Sequence, residues 1–200
     1  MDASSRTIAS RELDRLRANL EGRSRITLAH PKSIACAVLV PIVAHDGGYG
    51  VVYTLRSESL PNHKGQVSFP GGKHSPSEDA SLLDTALREA DEEIGVARTN
   101  VEILGVLDDV HTMATDFVIT PFVGLLPTDT CFRPNPREVE DVFTVSLGDL
   151  VDRAHHEKET KEWRGHPFEV DVITAGPHRI WGATHSITLN LLDCVADRAR

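Results

Sequence analysis

Cysteine and long apolar runs are scarce in this sequence, and basic residues are outnumbered by acidic ones. Its three cysteines, Cys36, Cys131 and Cys194, lie far apart and form no Cys-x-x-Cys pair, which argues against a structural zinc site. We interpret them as reduced, buried thiols of a cytoplasmic protein. The net charge of −9 argues against a basic face that would bind nucleic acid or an anionic membrane. No apolar run reaches the roughly 18 residues that a membrane-spanning helix needs.

The sequence does contain a mixture of helical and strand patterns. Leucines at helical spacing predict a short helix at about residues 10–21, and apolar runs predict a strand hairpin from 33–44 and 51–57. The polar segment 153–166 is expected to form an exposed loop or hairpin, and 179–199 a closing helix. This order of elements predicts an α+β fold or an α/β/α sandwich.

The clearest pattern is a helix over residues 78–94. An apolar stripe recurs at helical spacing from Leu83 to Ile94. Ser77 is the expected N-cap, and Gly95 is the expected stop at the C-terminus.

The last turns of this helix are crowded with carboxylates. Glu89, Glu92 and Glu93 fall within about a third of the helix circumference, and Arg88 can orient Glu92 across one turn. Acidic residues at a helix C-terminus oppose the helix dipole at about 0.3–1 kcal/mol each, so a bound cation would compensate them. Carboxylate oxygens suit Mg²⁺ or Mn²⁺, and the pair Gly71-Gly72 lets the backbone approach a ligand closely. The alternatives are a solvated acidic face and an ordinary turn.

The stretch READEEIGV, residues 88–96, resembles the second half of the Nudix box at every position. The first half of that pattern is a glycine, five residues and a glutamate, which Gly72 and Glu78 match. Nine residues then separate Glu78 from Arg88, where the pattern has seven. We infer a two-residue insertion that is absorbed before the helix body, with Glu78 as a capping or structural residue rather than a ligand.

The segment upstream of the box, residues 55–72, resembles the signature of the coenzyme A pyrophosphatase branch of the Nudix hydrolases. The branch has an arginine where Pro61 stands, but the other signature positions match: Arg56, Ser57, Leu60, His63, Gly65, Phe69, Pro70, Gly71 and Gly72. Similar segments follow at 120–126, 134–147 and 178–192, so the resemblance covers about residues 33–193.

The resemblance implies a Nudix hydrolase domain over residues 33–200, an α/β/α sandwich around a mixed sheet, after an N-terminal helical extension over 1–32. It implies metal-dependent hydrolysis of coenzyme A or its acyl derivatives to phosphopantetheine and adenosine 3',5'-bisphosphate. The implied ligands of Mg²⁺ or Mn²⁺, which are also the implied catalytic residues, are Glu89, Glu92 and Glu93. The implied substrate-binding residues are Arg56, His63, Lys64, Gly71 and Gly72. Glu89 is the first candidate for the general base, and Glu138 is the second.

Two other functions remain open at this point. One is a Nudix hydrolase for another nucleotide, such as ADP-ribose or a nucleoside triphosphate. The other is a Nudix-fold nucleotide-binding module without turnover, although such modules typically lose a carboxylate of the box. The expected partner is a small nucleotide of the coenzyme A type, with no nucleic acid and no membrane, and a homodimer is left open.

Overall fold

The structure is a computed structural model that describes residues 3–29, 32–112, 115–163 and 165–196. Short 3₁₀ turns lie at Arg98–Asn100 and Arg153–His155. The helices are α1 (Ala3–Gly22), α2 (Leu82–Ile94), α3 (Leu147–Val151) and α4 (Gly182–Val195). The strands are β1 (Ile34–His45), β2 (Gly48–Arg56), β3 (Val67–Ser68), β4 (Gly71–Lys73), β5 (Glu102–Val106), β6 (Val110–Thr112), β7 (Phe117–Leu125), β8 (Val139–Ser146), β9 (His156–Trp163), β10 (His166–Ala175) and β11 (His178–Trp181).

The main sheet is mixed. Its path runs β3-β2-β1-β7-β5, with β4 on β1, β6 on β7 and β8 on β2. β1 and β7 are parallel, from Ile34 opposite Phe117 to Ile42 opposite Leu125, and the other pairs are antiparallel. A second sheet has the order β11-β10-β9.

The apolar run of β1 explains the layers, because successive side chains of a strand point to opposite faces. Ala37 and Leu39 pack against α2, whereas Val40 and Ile42 belong to the larger core on the other face. That larger core includes residues of α1 and α4. Helices therefore cover both faces of the sheet, and the expected α/β/α sandwich is confirmed.

α1 is longer than the helix expected at 10–21. Its Leu16 and Leu20 are buried in the larger core, and Asn19 donates a hydrogen bond of 2.7 Å to the carbonyl of Cys194 in α4. α1 thus packs on the same core as the residues that follow it, and the division between 1–32 and 33–200 stays a prediction.

The start of α2 corrects the sequence analysis. The helix begins at Leu82, not at residue 78, and its N-cap is Ser81, not Ser77. Ser81 Oγ accepts a hydrogen bond of 3.2 Å from the backbone N–H of Asp84. The body of the helix continues unbroken to Ile94, so the extra residues are absorbed before it, as predicted.

Three smaller expectations are also revised. Gly71 and Gly72 lie in a strand, β4, rather than in a turn. The predicted closing helix begins only at Gly182, because the residues before it form β11. All three cysteines are free, but Cys131 is exposed rather than buried. The polar segment 153–166 includes β9, which forms the expected hairpin with β10.

Candidate active site

α2 positions the acidic cluster through its apolar stripe. Ala86, Leu87 and Ala90 pack on the sheet, which leaves the carboxylates on the flank and at the C-terminal end of the helix. The side chain of Glu92 is 55% exposed, whereas Glu93 as a whole is only 4% exposed. Glu92 and Glu93 therefore occupy different environments although they are neighbours in the helix.

β4 lies directly beside this flank and explains the glycine pair. A Cβ at Gly72 would overlap the carboxylate of Glu89, so only glycine leaves room for that side chain. A Cβ at Gly71 would instead overlap the backbone of β1, at the carbonyl of Ala37 and 2.6 Å from Cα of Val38. The backbone N–H of Gly71 donates a hydrogen bond to Glu93. Both glycines thus bring backbone close to its neighbours at this flank, and the close approach to a ligand that the sequence suggested stays a prediction.

The loop before β8 is docked on the C-terminus of α2. Backbone N–H groups of Arg133 and Asn135 donate to the carbonyls of Ile94 and Glu93 at 2.9 and 2.8 Å. These bonds satisfy helix-end carbonyls that have no partner inside the helix. The loop continues to Glu138, whose charge acts on both Glu89 and Glu93. Glu138 therefore joins the acidic site, although sequence reasoning gave it only as a second candidate.

The site holds more negative charge than the neighbouring cations offset. Burial raises the pKa of Glu93 to about 8, and the charges of Glu89 and Glu138 add to the rise against Arg56 and the Gly71 N–H. Burial also raises the pKa of Glu89, with Glu92 and Glu138 contributing and Arg88 opposing. Desolvation and like charges both disfavour an ionised carboxylate. A cation placed among these groups would favour their ionised forms.

Arg56, at the end of β2, approaches the site from the other side. Its charge favours ionised Glu93. Its Nε is buried and has no hydrogen-bond partner among the described residues. Leaving a buried donor without a partner costs about 1–3 kcal/mol. The described residues thus leave Arg56 Nε as a buried donor without an acceptor.

A second ion pair holds Arg88 in place. Arg88 Nε and Nη2 donate to Asp79 Oδ1 and Oδ2 at 2.9 and 3.0 Å, and hydrogen bonding to Arg88 holds the pKa of Asp79 well below its usual range. Thr85 Oγ1 donates to Asp79 at 2.9 Å, so the 2.8 Å contact between Thr85 and His74 must be donated by His74 Nδ1. The same guanidinium also reaches Glu89 at 3.0 Å and Glu92 at 3.1 Å. The expected pairing of Arg88 with Glu92 is confirmed.

Sequence reasoning missed Asp79. From Gly72, six residues lead to Asp79 and eight more precede Arg88, so each spacing is one residue longer than in the box. Glu78 is exposed and lies before the helix, and the capping role allowed for it is wrong because Ser81 caps α2. A signal was available: Asp79 is the next acidic residue after Glu78, one position closer to the expected spacing from Arg88.

Other predicted residues are not brought to the carboxylates. His63 and Lys64 are exposed on the loop between β2 and β3, and His63 Nδ1 lies 3.0 Å from Gln66 Oε1. Glu92 is turned toward Arg88.

As the side chains lie, no three His, Cys, Asp or Glu residues of the described ranges form a group that could hold a metal ion. No helix in those ranges is both long and apolar enough to cross a membrane.

Known proteins are similar to this chain over most of its length. The mitochondrial coenzyme A diphosphatase NUDT8 of Homo sapiens is 39% identical over 186 residues, which cover 91% of this chain and 77% of the relative. The uncharacterized Nudix hydrolase NudL of Photorhabdus laumondii is 36% identical over 151 residues, covering 76% of this chain and 79% of the relative.

Solved structures show the same fold. A MutT/nudix family protein from Enterococcus faecalis superposes with a TM-score of 0.58 at 16% identity, over 98% of this chain and 75% of that chain. At that identity the likeness concerns the fold alone. The NUDIX domain family itself matches residues 35–169. The chain therefore belongs to the NUDIX domain family.

Proposed function

We propose that this protein is a metal-dependent pyrophosphohydrolase that cleaves the diphosphate of coenzyme A or its acyl derivatives. The products are phosphopantetheine and adenosine 3',5'-bisphosphate. One observation carries the proposal: the segment 55–72 places Arg56 near its start, where its charge acts on Glu93, and Gly71-Gly72 at its end, beside Glu89 and Glu93. The similarity to a relative named coenzyme A diphosphatase over 91% of this chain supports the same substrate.

The carboxylates fit a divalent cation by their charge and their chemistry. Burial raises the pKa of Glu93 and of Glu89, and a cation placed between them would favour their ionised forms. Carboxylate oxygens are the ligands that Mg²⁺ and Mn²⁺ prefer. We assign Glu89, Glu92 and Glu93 as the ligands, with Glu92 giving up its contact with Arg88. When bound, such an ion polarises the diphosphate and stabilises negative charge on the leaving phosphate.

The residues of the chain supply binding, orientation and a base. Arg56 is partly exposed, and its guanidinium donates to a phosphate oxygen of the substrate. The Gly71-Gly72 backbone keeps Glu89 and Glu93 in place. Glu89 accepts the proton of the attacking water, because its side chain is 17% exposed, whereas Glu93 as a whole is 4% exposed. Water attacks one phosphorus, and the bond from that phosphorus to the bridging oxygen breaks.

The loop between β2 and β3 is assigned to the rest of the substrate. Its first residue, Ser57, donates from its backbone N–H to the carbonyl of Glu138 at 2.9 Å, so the loop starts at the edge of the carboxylate site. His63 and Lys64 are exposed on this loop, where they can meet the phosphates of a strongly anionic substrate. Local cations of this kind are needed in a protein of net charge −9.

The location of the protein is part of the proposal. Three free cysteines fit a reducing compartment, and the cytoplasm is our proposal. The relative from Homo sapiens is named mitochondrial, so organelle import is the competing location.

The experiment compares initial rates on coenzyme A and ADP-ribose at matched Mg²⁺, repeats them with Mn²⁺, and identifies the products. We expect faster hydrolysis of coenzyme A, with phosphopantetheine as a product. Equal or reversed rates favour a general nucleotide hydrolase instead. Binding of nucleotide with no turnover of either compound favours a binding module. The variant Glu93→Gln is the blank for contaminating hydrolases.

A further inference from the structure

β9 is an edge strand with a long open side. It is the last strand of the sheet β11-β10-β9, and across the described ranges its strand pairing is with β10 alone, from Trp163 opposite His166 to His156 opposite Ile173. Backbone N–H and C=O groups along the other side of an edge strand are open to pairing with another chain.

The outer half of the β9–β10 hairpin extends away from the core. Residues His166–Glu169 of β10 are all exposed, whereas Val172 and Ile173 at the base of the hairpin are fully buried. The side chain of Phe168, which lies opposite Lys161, belongs to the few large apolar side chains that stay exposed. A two-stranded ribbon without a packed face is marginally stable in water. A further strand paired with β9 would add a third strand to this part of the sheet.

The charges of β9 are self-complementary in one antiparallel register. The strand contains the sequence Glu157-Lys158-Glu159-Thr160-Lys161-Glu162. When two copies pair with Thr160 opposite Thr160, each Glu159 faces a Lys161 and each Lys158 faces a Glu162. Facing residues of paired strands lie on the same side of the sheet, so these are direct contacts. We propose that β9 pairs in this register with β9 of a second copy, which joins the two small sheets into one.

Neighbouring registers are opposed by the same charges. A slip by one residue in one direction places Lys158 opposite Lys161 and Glu157 opposite Glu162. A slip in the other direction places Glu159 opposite Glu162. Like charges that face each other across strands destabilise the pair. The pattern thus differs from a uniformly charged edge, which would repel a second copy in every register.

The charges that face the second copy are available in the single chain. Lys158 lies 3.9 Å from Glu169 and is 67% exposed, so its existing ion pair is weak. Glu162 is exposed, and it faces Pro167 on β10 rather than a cation. Glu159 already forms ion pairs within the chain, with Lys161 at 2.7 Å and with Arg179 at 3.0 Å. The pair Lys158–Glu162 is therefore the one to test.

The test is a charge exchange followed by sedimentation or light scattering over a range of protein concentration. The unaltered protein is expected to form dimers that weaken at high salt. Lys158→Glu and Glu162→Lys each replace two attractive contacts by two repulsive ones, and each is expected to raise the dissociation constant about tenfold. The double variant restores both contacts and the dimer.

An equimolar mixture of the two single variants provides the decisive arm. In a dimer with one copy of each, one variant has a glutamate at both altered positions and the other has a lysine at both. Each facing pair then joins opposite charges, so the mixture is expected to form heterodimers. Glu21→Lys, a charge reversal on the exposed end of α1, is the control and leaves dimerisation unchanged.

Three results would overturn the proposal. The first is a monomer at every concentration of the unaltered protein. The second is a pair of single variants that dimerise as well as the unaltered protein. The third is a mixture of the single variants, or a double variant, that stays monomeric.

Discussion

Arg88 donates two parallel hydrogen bonds to the carboxylate of Asp79, from Nε at 2.9 Å and from Nη2 at 3.0 Å. The side chain of Asp79 is only 1% exposed. The same guanidinium reaches Glu89 and Glu92, so Asp79 sets the position of the group that orients two of the proposed ligands. Mutation of a residue that orients metal ligands typically lowers metal affinity or activity by about 10–100-fold.

We therefore expect Asp79→Asn to lower kcat/KM by about 10–100-fold and to raise the Mg²⁺ concentration needed for half-maximal rate. It should also destabilise the fold by up to about 3 kcal/mol, because the buried partner of Arg88 loses its charge. Glu78→Gln is the matched control, since its side chain is exposed, and it should retain most activity and stability. If Glu78→Gln lowered activity and stability more than Asp79→Asn, Glu78 rather than Asp79 would be the residue that positions Arg88.

Alanine is expected to have different effects at the two glycines: it lowers activity at Gly72 and stability at Gly71. In Gly72→Ala the new methyl group displaces the carboxylate of Glu89, a flexible group, so the fold should persist while kcat/KM falls by about 100-fold. In Gly71→Ala the methyl group meets backbone of β1, so the unfolding free energy should fall by about 1–3 kcal/mol. Melting curves and initial rates of both variants check this. A Gly72→Ala variant with full activity would show that Glu89 does not need this position.

Part of this site could be predicted from the sequence because it depends on helix geometry alone. Glu89, Glu92 and Glu93 share a flank in any helix that covers them, and the apolar stripe makes that helix secure. The start of α2 could not be predicted, because Ser77 and Ser81 are both competent caps with acidic residues after them. What separates them in the structure is the ion pair of Asp79 with Arg88, a contact between segments that no local pattern encodes.

The approach of Glu138 was hidden for a similar reason. The loop that carries it is held by backbone hydrogen bonds to the carbonyls of Glu93 and Ile94, and backbone groups are the same in every sequence. For Glu92, the sequence predicted the partner of the side chain but not its exposure. Its pairing with Arg88 follows from helical spacing, but its exposure depends on how Arg88 is anchored by Asp79.

The metal-ligand assignment predicts that Glu92→Gln and Glu93→Gln each abolish hydrolysis while the protein stays folded. Removing a carboxylate lowers the affinity for a divalent cation and relieves repulsion in the metal-free protein. Metal-free stability should therefore hold or rise, and calorimetric titration should show weaker Mg²⁺ binding. Turnover like that of the unaltered protein in both variants would disprove the assignment.

The choice of base predicts a difference between Glu89→Gln and Glu138→Gln. Loss of the base should lower kcat by about 10²–10⁴-fold and remove the acidic limb of the pH–rate profile. We expect this result for Glu89→Gln. Glu138→Gln should keep the limb and move it toward lower pH, because one repelling charge near Glu89 is gone. A limb that vanishes only in Glu138→Gln would assign the base to Glu138.

The pKa of Glu93 predicts how the metal-free protein responds to pH. Its value is about 8 in the folded chain and 4.5 in the absence of the fold, so between these values the folded state holds a proton that the unfolded state lacks. Folding stability from this group is complete below about pH 4.5 and is lost as the pH rises through 8, with a slope of up to about 1.4 kcal/mol per pH unit. The depressed pKa of Asp79 acts only at lower pH and does not offset this trend. Urea denaturation with a chelator, from pH 5 to 9, should therefore show Glu93→Gln gaining on the unaltered protein as the pH rises, whereas Glu78→Gln runs parallel to it. A constant difference between Glu93→Gln and the unaltered protein would mean that Glu93 is ionised throughout this range.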